Sequence, residues 1–235
     1  MSGERGWRNL ADTKSSESSP FLKRPMVPGQ NTRIEFDRLL QARNDQPERL
    51  AEIDQQIQEV FSHTCAIFVL DMAGFSQLTL RHGILHFLGM IRRMSVISEP
   101  IVLQFGGRVI KQEADNLFAV FPDVVSAIEA SFSILKDLSA ANTGLPDDQE
   151  IYAGIGIGYG EVLVVGDDDV YGSEMNLACK LGEDLARRGE ILLTEAAYRE
   201  VNPRPGLWES IELSISGVDL AAHKVRSLFG ASHTA

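Results

Sequence analysis

A short, continuously apolar segment that ends in an aspartate constrains the fold of this chain more than any other feature. The segment is AIFVLD, residues 66–71, and it is followed by MAGFSQL and by a helical pattern with apolar residues at Leu85, Leu88, Ile91 and Met94. A run of this length without polar alternation predicts a strand buried on both faces. Asp71 stands at the rim of that strand, where an unpaired charge is costly.

A second aspartate occupies a comparable position. The stretch IVLQFGGRVIKQEADNLFAVF predicts two strands around a tight polar turn that contains Gln112, Glu113, Ala114 and Asp115. Either aspartate taken alone is most simply a turn or helix cap. Taken as a pair on neighbouring strands, Asp71 and Asp115 predict a binding site for hard cations such as Mg²⁺, with substrate phosphates completing the coordination.

The remaining pattern sets the fold class. A helix is predicted over about 124–141, followed by strands in EIYAGIGIGYGEVLVVG, a helix over about 173–187, a strand in GEILLT, a short helix near 195–201 and two closing strands. Strands and helices alternate without strict βαβ regularity. This arrangement favours an α+β sandwich over a doubly wound parallel sheet.

Composition shifts divide the chain into segments. Residues 1–31 are rich in Ser, Pro and Gly and predict a disordered N-terminal tail. Residues 32–62 carry two helical stretches, and the second has an apolar stripe at Leu50, Ile53, Ile57 and Val60. That stripe fits a short coiled-coil seam or packing onto the domain, and the second interpretation is favoured. We expect a catalytic domain over 63–228 and a C-terminal tail over 229–235.

Charge and hydropathy exclude several classes of protein. A net charge of -11 repels a nucleic-acid backbone. No apolar run approaches the roughly 20 residues that span a bilayer, and the N-terminus has no signal-peptide pattern, so we expect no membrane insertion and a cytoplasmic location. Cys65 and Cys179 lack the paired spacing of zinc or disulfide sites and are expected to be packing residues.

Three segments resemble the class III adenylyl and guanylyl cyclases, and the resemblance runs from about Thr64 to Val201. The segments are FVLDMAGFSQL, GGRVIKQEADNLFAVF and DVYGSEMNLACKL, in the family's order and spacing. The resemblance implies an α+β fold with a ferredoxin-like (βαββαβ) core, a sheet with helices packed on it, and an active site at a head-to-tail homodimer interface.

The resemblance also implies roles for individual residues. It places two divalent ions, Mg²⁺ or Mn²⁺, on Asp71, Asp115 and the backbone carbonyl of Met72. It places Phe75 in the substrate site, Lys111 and Asp169 at the base, Asn176 at the ribose and Lys180 where the family usually has an arginine on the transferring phosphate. One chain of the dimer would supply the metal aspartates and the other would supply the remaining groups, so that a monomer would be inactive.

Hydrogen-bond complementarity predicts the base. A lysine donates to adenine N1 and an aspartate accepts from the N6 amine, whereas guanine presents the opposite groups at these positions. Lys111 with Asp169 therefore favours ATP over GTP, although Lys111 could also be an edge-strand lysine that prevents aggregation. Asp169 follows Asp167 and Asp168 directly, and its distance from Asn176 selects it. Asn176 alone could be a helix-opening residue.

The chain departs from the family pattern at two places that matter. Lys180 keeps the positive charge of arginine but loses its planar fork, which predicts slower turnover or loss of activity. Ala114 replaces the glycine that usually precedes the second metal aspartate, and it restricts the backbone if a positive φ is needed.

Three functions remain open. The first is an adenylyl cyclase that converts ATP to 3′,5′-cyclic AMP and pyrophosphate. The second is a weak or inactive cyclase-like domain that regulates by binding nucleotide or a partner, and the third is a cyclase for GTP or a pyrimidine nucleotide. A regulatory partner could act through residues 1–62.

Overall fold

The computed structural model describes residues 31–73, 82–201, 208–215 and 218–226. Phe75, the predicted tail up to residue 30 and the predicted C-terminal tail over 229–235 lie outside the described residues. The helices are α1 (Arg33–Asp45), α2 (Leu50–Phe61), α3 (Ile84–Gln104), α4 (Val124–Asn142), α5 (Ser173–Cys179), a π-helix (Lys180–Leu185), α6 (Glu195–Glu200) and two 3₁₀ turns, Pro47–Arg49 and Asp147–Gln149. The strands are β1 (Ser62–Met72), β2 (Arg108–Glu113), β3 (Asn116–Phe121), β4 (Ala153–Val165), β5 (Asp169–Tyr171), β6 (Ile191–Thr194), β7 (Trp208–Ile215) and β8 (Val218–Val225).

The first four strands form the predicted ferredoxin-like core. They follow the order βαββαβ along the chain, lie in the sheet order β2-β3-β1-β4, and are antiparallel throughout. Strand β6 joins β4 in parallel, and β8 and β7 extend the sheet antiparallel. The short β5 pairs with the end of β4. The α+β class predicted from the sequence is confirmed.

The two faces of β1 explain its continuous apolar sequence. Ala66, Phe68 and Leu70 face a core shared with α3 and α4, whereas Ile67 and Val69 face a second core on the opposite side. Both sets are buried, because helices cover each face of the sheet. By the same alternation Asp71 lies on the second face.

Helix α3 is present as predicted, and its buried face matches only the second half of the predicted apolar stripe, where Met94 is buried. Leu85 is 82% exposed and Leu88 is 50% exposed, while Phe87, Met90 and Met94 form the buried face. Both faces at the start of this helix carry large apolar residues. Apolar spacing therefore could not determine which of them faces the core.

A row of glycines on β4 brings α5 close to the sheet. Gly154, Gly156, Gly158 and Gly160 alternate with the core residues of β4, so all four share the second face. A methyl group on Gly156 would collide with the Ala178 carbonyl oxygen, and one on Gly158 would lie 2.8 Å from the Glu174 carbonyl oxygen. The backbone of α5 therefore sits directly on the backbone of β4.

The predicted helix over 173–187 divides into two types. It is an α-helix through Cys179 and a π-helix from Lys180 to Leu185, ending before Arg187. The change occurs beside Gly182, where an added methyl group would lie 2.8 Å from the Val69 carbonyl oxygen. Short π-helical segments are rare in proteins overall, but those that occur are often found at functional sites.

Helices α1 and α2 pack onto the end of β4. Phe36 and Leu39 of α1 share a buried cluster with Ile57 and Phe61 of α2 and with Val165. Leu50, at the start of the predicted stripe, is 38% exposed, whereas Ile53 is buried. The buried residues of the stripe therefore pack onto the domain, as the favoured interpretation of the sequence predicts. None of the helices that the structure describes is long and apolar enough to cross a membrane.

The β2–β3 turn requires a left-handed backbone conformation. Ala114 has a φ of 51°, and it is the one described residue other than glycine with a positive φ. This conformation costs an L-residue about 1–2 kcal/mol, and glycine adopts it freely. The departure at Ala114 therefore falls at a position that favours glycine.

Replacing Ala114 with Gly is expected to stabilise the protein. Relief of the strained backbone outweighs the extra entropy of an unfolded glycine, which leaves a net gain of about 0.5–1 kcal/mol in the free energy of unfolding. Urea denaturation measures this gain. The control Ala140→Gly, exposed in the last turn of α4, should lose about 0.5 kcal/mol. A loss of stability in Ala114→Gly would contradict the expectation.

Candidate active site

The two predicted metal aspartates lie side by side. Asp71 ends β1 and pairs in register with Asn116, the residue after Asp115. The Met72 N–H donates to the Asp115 carbonyl oxygen at 3.3 Å, which ties the end of β1 to the β2–β3 turn. Asp115 is buried at 8% exposure, and Met72 is also buried.

Burial raises the pKa of both carboxyl groups, and crowding of negative charge adds to the shift at Asp71. The pKa of Asp71 is raised to about 7, first by burial and then by the charges of Asp115, Glu183 and Asp184. Burial also raises the pKa of Asp115. Among the described residues, no Lys or Arg pairs with either carboxylate. The described residues therefore leave the negative charge of this pair without a neutralising cation.

The predicted base-recognition residues are in direct contact. Lys111 Nζ lies 3.1 Å from Asp169 Oδ1 and 3.0 Å from Glu113 Oε2. Burial acts to raise the pKa of Asp169, but hydrogen bonds from Tyr171 and Lys111 outweigh it, so this pKa lies below its ordinary value. Asp169 is therefore an ionised acceptor at neutral pH.

Asn176 and Lys180 lie on the helix that crosses the glycine face of β4. Asn176 is exposed on α5, and Lys180 donates to Asp184 Oδ2 at 2.8 Å. Among the described residues, no hydrogen bond or ion pair joins Asn176 or Lys180 to the aspartate pair or to Lys111 and Asp169. One chain thus brings Asp71 together with Asp115 and Lys111 together with Asp169. It leaves Asn176 and Lys180 exposed to solvent.

Sequence reasoning missed four residues at these sites. Glu183 and Asp184 add charge beside Asp71, and their place three and four residues after Lys180 on a helix could have indicated a shared face. Tyr171 hydrogen bonds to Asp169, and Arg33 contacts both of them. Arg33 is 136 residues from Asp169, so no local pattern could reveal it.

The aspartate pair fits the divalent ions that the family implies. Divalent Mg²⁺ is typically bound by one or two carboxylates together with waters and substrate phosphates. Asp71 and Asp115 provide two adjacent carboxylates whose pKa values are raised chiefly by burial, and a bound cation would favour their ionised forms. Among the described residues, no group of three or more His, Cys, Asp and Glu side chains could hold an ion by itself. Waters or substrate phosphates would complete the coordination of an ion there.

The two cysteines pack against one apolar cluster, with Cys65 buried and Cys179 partly buried. Burial raises the pKa of Cys65 to about 12 and, together with the neighbouring Glu183, raises that of Cys179 to about 11. Thiols with such values stay protonated and unreactive at neutral pH. Both behave as packing residues.

The sheet order and the helix-covered faces define the fold of the class III adenylyl and guanylyl cyclase catalytic domains. Solved structures confirm this resemblance. The chain matches the adenylate/guanylate cyclase/hydrolase from Silicibacter pomeroyi with a TM-score of 0.59 and 22% identity, covering 70% of this chain and 96% of that one. It matches the adenylyl cyclase CyaB from P. aeruginosa with a TM-score of 0.59 and 18% identity, covering 72% and 96%. It matches the guanylyl cyclase Cya2 with a TM-score of 0.61 and 18% identity, covering 70% and 92%.

A sequence relative points to the same class. The chain is 28% identical over 163 residues to the protein described as "Putative adenylate cyclase 3" of Rhizobium meliloti (strain 1021). The match covers 69% of this chain and 26% of that protein, so the chain spans about a quarter of the length of this curated relative. No family model matches the chain.

Proposed function

We propose that the chain is the catalytic domain of an adenylyl cyclase, which converts ATP to 3′,5′-cyclic AMP and pyrophosphate as a cytoplasmic homodimer. The observation that carries the proposal is the contact between Lys111 and Asp169, whose Nζ and Oδ1 atoms lie 3.1 Å apart. The curated relative described as an adenylate cyclase supports the choice of ATP. The structural neighbours include guanylyl cyclases, so the base must be tested by experiment.

Lys111 and Asp169 would recognise the base. The Lys111 ammonium has three donors, so it can turn the donor that faces Asp169 toward adenine N1 while another stays on Glu113. The ionised Asp169 can only accept, which suits the N6 amine of adenine and opposes the O6 carbonyl of guanine. A site of this kind leaves a mismatched base with unpaired buried groups and rejects it strongly.

The remaining residues would place the triphosphate and the ribose. Divalent ions held by Asp71, Asp115 and the Met72 carbonyl would supply charge neutralisation and acidify the 3′-hydroxyl. Asn176 would orient the ribose, and Lys180 would approach the α-phosphate after leaving Asp184. The 3′-oxygen then forms a bond to the α-phosphorus as the bond to the β-phosphate oxygen breaks, releasing pyrophosphate.

A head-to-tail dimer would complete the site. Among the described residues of one chain, Asn176 and Lys180 are exposed and make no hydrogen bond or ion pair with the aspartate pair. A second copy, related by a two-fold axis, would bring its Lys111, Asp169, Asn176 and Lys180 to the first chain's aspartates and create two equivalent sites. Phe75 is retained in this proposal as a substrate-binding residue.

A non-catalytic domain is the second candidate. Lys180 stands where arginine is usual and is held in an ion pair with Asp184, which removes part of its charge from the site. A domain of this kind would bind nucleotide or a partner and regulate without turnover. Both carboxylates of the pair are retained, and this favours catalysis.

The deciding experiment is incubation of the purified chain with ATP, GTP, CTP and UTP, each with Mg²⁺ and with Mn²⁺, and identification of products by mass. We expect cyclic AMP from the unmutated chain and none from Asp115→Asn. Another cyclic nucleotide would reject the base assignment and keep the mechanism. No cyclic product from a chain shown to be dimeric would favour the regulatory domain.

A further inference from the structure

We infer that Arg33, in the first turn of α1, is a positioning residue for base recognition, because it fixes the carboxylate of Asp169 from the side opposite Lys111. This inference rests on the proposed function, since it concerns the same base site. It assigns the helical segment before the catalytic core a part in substrate selection.

Both carboxylate oxygens of Asp169 contact nearby donors. Lys111 Nζ lies 3.1 Å from Oδ1, and the Val170 N–H donates to the same oxygen at 3.0 Å. Arg33 Nη2 donates to Oδ2 at 3.2 Å, and Arg33 Nη1 donates to the Tyr171 hydroxyl at 2.7 Å. Each carboxylate oxygen therefore has its own cationic donor.

Arg33 is itself held in place by its neighbours. Phe36, one turn further along α1, stacks on the Tyr171 ring at 5.5 Å with an interplanar angle of 10°. Asn31 donates to the Val164 carbonyl at 3.0 Å and accepts from the Gly166 N–H at 2.7 Å. These contacts hold the start of α1 against β4 and β5, the two strands that flank the turn before Asp169.

The same turn is anchored from a third direction. Arg108 of β2 donates to the Gly166 carbonyl at 2.8 Å and pairs with Asp167. The backbone beneath Asp169 is therefore fixed by β2 as well as by α1. What Arg33 adds is control of the side chain, because it is the cationic donor at Oδ2 among the described residues.

Base recognition requires one of these donors to leave. When Lys111 turns to adenine N1, Oδ1 loses a donor and can accept the N6 amine. Arg33 and the Tyr171 hydroxyl keep the carboxylate at a fixed angle during this exchange. Without Arg33 the carboxylate can rotate and follow Lys111, so it would meet the amine less well and oppose guanine less strongly.

The test compares Arg33→Ala with Arg38→Ala. Arg38 lies on the same helix, and among the described residues it pairs only with Glu35 of that helix, so its removal is a matched loss of charge. We expect Arg33→Ala to raise KM for ATP about fivefold with little change in kcat, and to lower the ratio of ATP to GTP turnover. Arg33→Lys should recover part of the loss, because it keeps the charge without the fork. Equal values for the two alanine variants would overturn the inference.

A second measurement separates this inference from the proposed function. Hydrogen exchange without nucleotide follows the Val170 amide, whose N–H donates to Asp169 Oδ1. We expect faster exchange there in Arg33→Ala and in Tyr171→Phe, and unchanged exchange in Arg38→Ala. If the unmutated chain forms no cyclic product, the proposed function fails, whereas this exchange still decides whether Arg33 fixes Asp169. Unchanged Val170 exchange in Arg33→Ala would reject the inference.

Discussion

Asp71→Asn is expected to abolish cyclic nucleotide formation and to stabilise the protein at the same time. The amide keeps the size of the side chain but removes a charge that would hold a divalent ion, so we expect at least about a 100-fold loss of kcat. Product mass analysis measures the loss. Asp137→Asn, at an exposed aspartate of α4 remote from the proposed roles, should keep its activity and serves as the control.

The stability effect follows from the raised pKa of Asp71. Its folded pKa of about 7 lies above the ordinary value of 3.8, so ionisation of Asp71 opposes folding as the pH rises through this interval. Asn cannot ionise. The variant should therefore match the unmutated protein below pH 4 and exceed its free energy of unfolding by about 1–2 kcal/mol above pH 7, after allowance for solvent screening.

Divalent ions are expected to reduce the difference in stability between the unmutated chain and Asp71→Asn. Mn²⁺ is expected to raise the Tm of the unmutated chain and to leave that of Asp71→Asn unchanged, because only the former offers both carboxylates. A variant that lost activity without gaining stability at neutral pH would contradict the crowded-carboxylate account of the site. A Mn²⁺ response that survived the substitution would place the ion elsewhere.

Mixing two inactive variants tests whether the site is shared between chains. Asp71→Asn and Asn176→Ala remove residues that the proposed dimer takes from different chains. After co-refolding in equal amounts, half of the dimers would be mixed and each would hold one intact site, which restores about a quarter of the unmutated activity. No recovery would place the complete site in a single chain.

Gly156→Ala is expected to have the largest effect on folding. The added methyl group would meet the Ala178 carbonyl oxygen and lie 2.5 Å from the Gly182 nitrogen, and both contacts are with backbone. The only relief is movement of α5 and the π-helix away from β4. We expect a loss of about 3 kcal/mol or more in the free energy of unfolding, measured by urea denaturation, together with loss of turnover.

A second glycine provides the control. Gly89 lies in the interior of α3, is exposed, and has no atom within 4 Å of an added methyl group. Gly89→Ala should stabilise the chain by about 1 kcal/mol through helix propensity alone. If Gly156→Ala were as stable as Gly89→Ala, the close contact between α5 and β4 would be wrong.

The fold was largely predictable because its strands are strongly patterned. The apolar runs around Phe68 and Phe118 could only be buried strands, and the turn between Glu113 and Asn116 joined β2 to β3 at the expected place. The buried face of α3 was not predictable, since Leu85 and Phe87 are both large and apolar. Packing of the whole helix on the sheet decides between them.

The candidate site was predictable where its residues carry local motifs. The structure places Asp71 beside Asp115 and Lys111 against Asp169, which are the pairs that the motifs imply. Their chemical roles stay predictions. Arg33 was missed because its contact with Asp169 depends on how α1 docks, and the π-helix after Cys179 was missed because packing around Gly182 sets it.

The bare glycine face of β4 has a mechanical consequence. Side chains between a helix and a sheet can change rotamer and absorb a small displacement, but none stands between α5 and β4 at Gly156. We therefore expect a displacement of β4 to move Asn176 and Lys180 together with it. Because the far end of β4 leads into Asp169, the groups proposed to contact base, ribose and phosphate move as one stiff body, and α1 is attached to its end.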